Sequence, residues 1–254
     1  MVQLNYRQKS NGQYILSKND IEDIATAVLK DYAPLNLEIP TALDTMDFLQ
    51  NYLLLTVKRK YIGVGESQAL GAIVLTSTAQ IPSLDDDYKS VILEETFGNV
   101  LICPALLGPQ NAPRRRYTEM HEASHFILHK EYFEKLESSN KHNNSSERFI
   151  ACRFIEMNSQ DLSNDLAWRE WQADRLAAAL LMPQNVFCSY AKSVMRKLDI
   201  NRGCLIPEYN ISKSEAYDII DDISVKFSVS HRATQIRMIN LGLIRQTSIL
   251  NSSY

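Results

Sequence analysis

The chain has 254 residues, 45% hydrophobic and 22% charged, an ordinary globular balance that excludes wholesale disorder and suits one large domain or two small ones. A net charge of −3 supplies no basic field for nucleic acid, and only 8 glycines disfavour Gly-rich phosphate loops and many-turned all-β architectures. The longest apolar run, Leu176 to Met182, is far short of the ~18 residues a membrane span needs.

The opening segment MVQLNYRQKSNGQ has no apolar core behind its charges and does not read as a signal peptide. Cys103, Cys152, Cys188 and Cys204 are widely spaced with no CxxC pair, which suggests neither a disulfide framework nor a cysteine zinc knuckle. A reducing cytoplasm is the expected location, with no membrane involved.

In chain order, a first helix is predicted from Ser17 or Asn19, with Ile21, Ile24, Ala25, Val28 and Leu29 at helical spacing and Pro34 as its stop. A second is predicted to open at Pro40, its apolar face holding Leu43, Met46, Phe48 and Leu49. Three β-rich stretches follow, 53–62, 69–76 and 99–106, with a turn-like piece at 83–87. Three strands between helices predict a small sheet against a helical layer, an α+β arrangement. A helix over 117–130 is preceded by Pro113, and a Ser- and Asn-rich stretch, 138–148, reads as an exposed loop. The next helix spans 165–182, stopped by Pro183, and a further one follows it. Two short C-terminal helices close the chain. One carries Ser212 and Glu215 at capping-box spacing, and the other runs from about Ser230 to Gly242.

Three of the five histidines fall within nine residues: His121, His125 and His129. His121-Glu122-Ala123-Ser124-His125 is an H-E-x-x-H pattern. Residues four apart lie about 40° apart on a helix, so both imidazoles leave one face and can share a metal through nitrogen. Glu122 points about 100° away, near enough to reach a metal-bound water instead of the metal. Met120, Ala123 and Ile127 form a separate apolar side, with Glu119 and Lys130 on the expected wet side. Two structural histidines on an amphipathic helix are the bland alternative.

A catalytic zinc needs a third protein ligand and an open position. On the second helix Glu170 and Asp174 share a face with Leu166, Ala173, Ala177 and Leu181, opposite Arg169, Gln172, Arg175 and Ala179. Carboxylates on an apolar face are costly unless paired or metal-bound, which favours Glu170 as ligand over Glu119, Glu131 or Glu134. Asp174, one turn on, is placed to accept the second ring N–H of a ligating histidine. The competing reading is a buried ion pair with an arginine such as those at 114–116. His129, about 80° around from His121, is expected to be structural or to contact substrate rather than bind the metal. Trp168 and Trp171 are expected to pack rather than form a binding platform.

Three blocks resemble the ImmA/IrrE metallopeptidases, in the same order. They are the arginine-aromatic-threonine lead of Arg116-Tyr117-Thr118 into H-E-x-x-H and a trailing His129; Glu170-Trp171-Gln172-Ala173-Asp174 through Leu180-Leu181-Met182-Pro183, like E-x-x-A-(N/D)…L-L-M-P; and Phe227 through Ile244, like the V-S…R-L-x-x-L-G-L segment. Tyr117 stands where a phenylalanine is usual, Glu119-Met120 replace a small apolar pair, and the 45 positions from His125 to Glu170 exceed the usual gap.

The resemblance implies a zincin-like core over about 1–200, with active-site helices near 113–130 and 165–182, and a helix-turn-helix-like C-terminal segment over 205–254. It implies zinc held by His121, His125 and Glu170, although Mn²⁺ or Fe²⁺ can compete at such N/O ligands. The implied activity is an endopeptidase with Glu122 as proton shuttle, Asp174 orienting a ligand histidine, and Tyr117 either structural or near substrate. The implied substrate is a helix-turn-helix transcriptional repressor. A non-catalytic zinc-containing regulator that binds a repressor or DNA is the rival. Charge argues against DNA, since 212–225 carry one Lys against Glu215, Asp218, Asp221 and Asp222, and only the last helix is basic, with Lys226, Arg232, Arg237 and Arg245.

Overall fold

The computed structural model describes residues 2–63, 68–85, 87–139, 149–152, 164–201, 203–206 and 211–245, and for 149–152 the backbone alone. Within them the chain is mixed α+β. The helices are α1 (Lys18–Tyr32), α2 (Thr45–Asp47, continued by a π-turn over Phe48–Tyr52), α3 (Ala112–Ser138), α4 (Asp165–Leu181), α5 (Gln184–Lys197), α6 (Lys213–Phe227) and α7 (His231–Asn240). The strands are β1 (Thr56–Arg59), β2 (Gly71–Val74), β3 (Thr78–Leu84), β4 (Ser90–Thr96), β5 (Asn99–Ile102) and β6 (Phe149–Cys152).

Local chemistry sets most helix ends. Ser17 and Ser212 each form a complete capping box, with Asp20 and Glu215 respectively, and Asn164 and Ser230 cap α4 and α7 through their side chains. Pro113 stands in the first turn of α3, where its missing N–H costs nothing. The second helix does not open at Pro40. It starts at Thr45, because the Asp44 side chain accepts from the Asp47 amide and fixes the first turn there.

The main sheet has the order β1-β5-β2-β6, with β1 parallel to β5 and β2 antiparallel to both neighbours. β2 and β5 are buried along their whole length, and α3 packs across them. Two departures from the sequence reading stand out. A second sheet, the β3–β4 hairpin, pairs Thr78 with Thr96 through Leu84 with Ser90, so residues 83 and 84, expected in a turn, lie in strand. Its inward residues include Ala79 and Ser83, too small to raise an apolar signal, and Pro82 sits mid-strand, tolerated because the ribbon has only one partner. A fourth strand, β6, joins the main sheet through a four-residue run, Phe149 to Cys152, too short to show periodicity. The expected exposed loop, 138–148, lies outside the described residues from 140 onward, and α3 runs eight residues beyond its expected end at 130, to Ser138.

One continuous hydrophobic cluster runs from Tyr14 through α1, α2, α3, α4 and α5 into α6 and α7, ending at Ile244. The C-terminal helices are joined by Ser228, Val229 and Ser230, with Ser228 in the left-handed region (φ 54°). They are tied to the body by Arg237, one of the four basic residues noted in the last helix. Its side chain is turned inward, pairing bidentately with Glu22 of α1 and donating from Nε and Nη2 to the Met182 carbonyl at 3.1 and 2.9 Å. Those bonds also satisfy a buried carbonyl left without a helical partner where Pro183 ends α4. Arg237→Ala leaves the Glu22 carboxylate and that carbonyl without partners and is expected to cost about 3 kcal/mol. Urea unfolding checks this, and a loss below about 1 kcal/mol would show the anchor to be redundant.

Among the described residues no helix is long and apolar enough to cross a membrane.

Candidate metal centre

α3 and α4 pack along each other and supply the titratable groups of the site. On α3, His121 and His125 stand one turn apart with their Nε2 atoms 2.9 Å from each other. From α4, Glu170 brings Oε2 to 3.2 Å from His121 Nε2 and Oε1 to 3.4 Å from His125 Nε2. Three ligand atoms, two nitrogens and one oxygen, lie within 4.8 Å of one another, and this group can hold a metal ion. Both imidazoles are buried, whereas the Glu170 side chain keeps 18% exposure, so the cluster sits just under the surface.

The neighbours of these three groups orient them. His121 Nδ1 lies 2.9 Å from Asp174 Oδ1, and the Tyr117 hydroxyl donates to the Asp174 carbonyl at 3.1 Å. His125 Nδ1 lies 3.0 Å from His129 Nδ1, and His129 Nε2 lies 3.0 Å from Gln172 Oε1. His129 is therefore outside the converging group and behind it. Arginines 115 and 116 are engaged elsewhere: Arg115 with Glu119, and Arg116 with the Leu43 and Ser228 carbonyls.

Glu122 is fully buried, and among the described residues neither carboxylate oxygen has a hydrogen-bond partner. Burial pushes its carboxyl up to about 8, opposed by His121 and reinforced by Glu170 and Asp174. Glu170 behaves in the opposite sense. Burial would raise it, but the neighbouring imidazoles of His125 and His121 outweigh burial and hold its carboxyl below the usual carboxylate range. Burial holds His125, and more strongly His129, below the ordinary imidazole value. Two adjacent carboxylates thus carry opposite proton preferences, a pattern that acid–base sites share.

Room for Glu122 comes from a residue the sequence reading passed over. Gly71 opens β2, and a Cβ there would lie 2.6 Å from Glu122 Oε1 and 2.6 Å from Thr118 Cγ2. Only a residue without a side chain lets the strand backbone approach α3 this closely. Gly71→Ala is expected to cost about 1–3 kcal/mol by overpacking while pushing Glu122 out of place. A melting curve unchanged from wild type would show that α3 and β2 separate freely.

Three expectations about faces need correction. Glu119, expected on the wet side of α3, is buried, accepting from the Thr45 hydroxyl and pairing with Arg115, because α2 covers that flank. Leu166, expected on the inward face of α4, is 55% exposed, and the Asp174 side chain is 49% exposed rather than sunk in apolar surroundings. Conversely Arg169, Gln172 and Ala179, expected on the other side, are buried. A wheel with one inward face fails because α4 is packed on two flanks, by α1 and by α3. Arg169 lies over the Tyr132 ring at 4.6 Å, and Gln172 reaches His129 and the Tyr14 carbonyl. Trp168 and Trp171 stack at 4.8 Å, half-buried, with the Arg175 guanidinium 5.4 Å from the Trp171 ring.

Gln172 and Gly71 are the residues of this site that pattern reading missed. A Gln gives no motif signal by itself, and a lone Gly before a short apolar run marks a close approach only once the helix facing it is known.

No family model matches the chain, and no curated protein matches it.

Proposed function

We propose that this chain is a metal-dependent endopeptidase of the ImmA/IrrE kind, with a zincin-like core, acting in the cytoplasm on a helix-turn-helix transcriptional repressor. The observation that carries the reading is the convergence of His121, His125 and Glu170 beside a fully buried Glu122 with no hydrogen-bond partner for either oxygen among the described residues. A carboxyl with that much desolvation and no hydrogen bond is expensive to keep unless it serves chemistry.

The donor set suits zinc, with Mn²⁺ or Fe²⁺ as competitors, and His121, His125 and Glu170 would hold it. When bound, such a metal supplies Lewis acidity toward a carbonyl and acidifies water. Glu122 accepts a proton at its free Oε atoms as water attacks the scissile carbonyl, and returns it to the leaving amine. Its raised proton affinity suits both halves of that shuttle. Asp174 keeps the Nδ1 proton of His121 in place, and Tyr117 holds the backbone of Asp174.

The repressor part of the proposal rests on the resemblance of the three sequence blocks. Co-expression with a helix-turn-helix transcriptional repressor, followed by mass measurement of that repressor, tests it. Fragments with the wild type and intact repressor with a His121→Ala/His125→Ala variant are expected. Intact repressor in both arms would remove that substrate class.

A further inference from the structure

Two imidazoles whose Nε2 atoms face each other at 2.9 Å can share one cation only if both turn lone pairs toward it. For His121 the arrangement is short, since Asp174 takes the proton of the opposite nitrogen. For His125 it is longer, and it starts from an amide. Gln172 Nε2 donates to the Tyr14 carbonyl at 2.9 Å, and a carbonyl only accepts, so the orientation of the Gln172 amide is settled. Its oxygen is then the atom 3.0 Å from His129 Nε2, and that nitrogen must carry a hydrogen.

His129 is completely buried and neither of its ring nitrogens meets a carboxylate, the contacts being His125 Nδ1 and Gln172 Oε1, so it is neutral and its Nδ1 is a bare acceptor. The partner of that acceptor, 3.0 Å away, is His125 Nδ1, which therefore donates. The remaining nitrogen of His125, Nε2, is left with its lone pair facing His121 and Glu170.

We infer that Gln172 and His129 are positioning residues that lock His125 in the tautomer with its proton on Nδ1, and so set the affinity of the centre for its metal. Nothing in an imidazole itself puts the proton there, and a ring protonated on Nε2 must give that proton up before it can ligate. The chain of bonds runs from the backbone of Tyr14, across α4, to α3, all of it buried. It thereby couples a ligand histidine to the packing of α3 on α4. The affinity part of the inference rests on the metal reading above.

The test has one arm that needs no variant. Long-range ¹H–¹⁵N correlation spectra of the metal-free wild type near neutral pH report which nitrogen of each histidine carries hydrogen. His125 is expected to show a protonated Nδ1 and a bare Nε2, and a proton on Nε2 overturns the inference. The second arm is zinc affinity, measured by competition with a chromophoric chelator. His129→Leu, which keeps bulk and removes the acceptor, is expected to weaken binding about 10- to 100-fold. His129→Asn, which returns an oxygen near the Nδ1 position, is expected to recover most of the loss. Undiminished affinity in a folded His129→Leu protein overturns the inference. Absence of zinc binding by the wild type defeats the metal reading, whereas zinc binding with His125 protonated on Nε2 when metal-free defeats only the positioning role.

Discussion

Glu122→Gln is expected to keep the fold and the metal while lowering cleavage by about 10²–10⁴, the usual worth of a positioned general base. The expectation follows from where the carboxylate sits. It is not part of the converging group formed by His121, His125 and Glu170, so a neutral amide of the same size removes no ligand. Its two oxygens have no hydrogen-bond partner among the described residues, so the substitution breaks no hydrogen bond there. Burial already disfavours the charge, which is why loss of ionisation is expected to leave stability near wild type. His121→Ala differs on each count, since it removes a ligand and the partner of Asp174, and is expected to lose metal and cleavage together. Wild-type cleavage rates for Glu122→Gln would contradict the assigned role.

Metal removal carries the other large effect. A ligand present at a thousand times its dissociation constant stabilises the folded state by about 4 kcal/mol. In a chain of this size that is on the order of 10 °C in Tm, so chelation is expected to lower the melting temperature by that much. Glu170→Gln should abolish most of the chelator response, because it removes the only anionic member of the group. The variant also tests where the carboxylate's stability comes from. Without a metal the Glu170 oxygens lie 3.2 and 3.4 Å from the two Nε2 atoms, so its replacement also removes those contacts from the metal-free protein. An identical melting curve with and without chelator in the wild type would place Glu170 in a purely structural role.

Patterns with one dominant cause were readable in the sequence. The periods of α1, α3 and α4, the helix start near Ser17, the capping box at Ser212 and the stop at Pro183 depend on local chemistry, and the elements formed there. The spacing of His121 and His125 is likewise a local fact, and on the helix the two rings meet. What depends on a second element was not readable. Glu119 is polar and reads as exposed until α2 covers it, and the inward turn of Arg237 requires Glu22, over two hundred residues away in sequence. The hairpin was hidden by the small inward side chains of Ala79 and Ser83, which bury little apolar area and so leave little alternation to detect.

The same distinction applies inside the site. Glu170 and Asp174 were chosen for an apolar face, yet Asp174 is half exposed, and α4 is buried on flanks that no single wheel predicts. The apolar-face argument therefore holds only in part for these two carboxylates, even though the structure brings both to His121. Gln172, two residues from Glu170 and about 200° around the helix, reaches the same constellation by way of His129, from the opposite side. Only the packing of α3 on α4 makes those two sides of α4 converge on one row of histidines.

The claim at the centre of this account is that His121, His125 and Glu170 hold a metal. Elemental analysis of protein purified without chelators measures it directly. About one transition-metal ion per chain is expected for the wild type, the stoichiometry of a single three-ligand site, and a small fraction of that for a His121→Ala/His125→Ala variant. Equally little metal in the two proteins would contradict it.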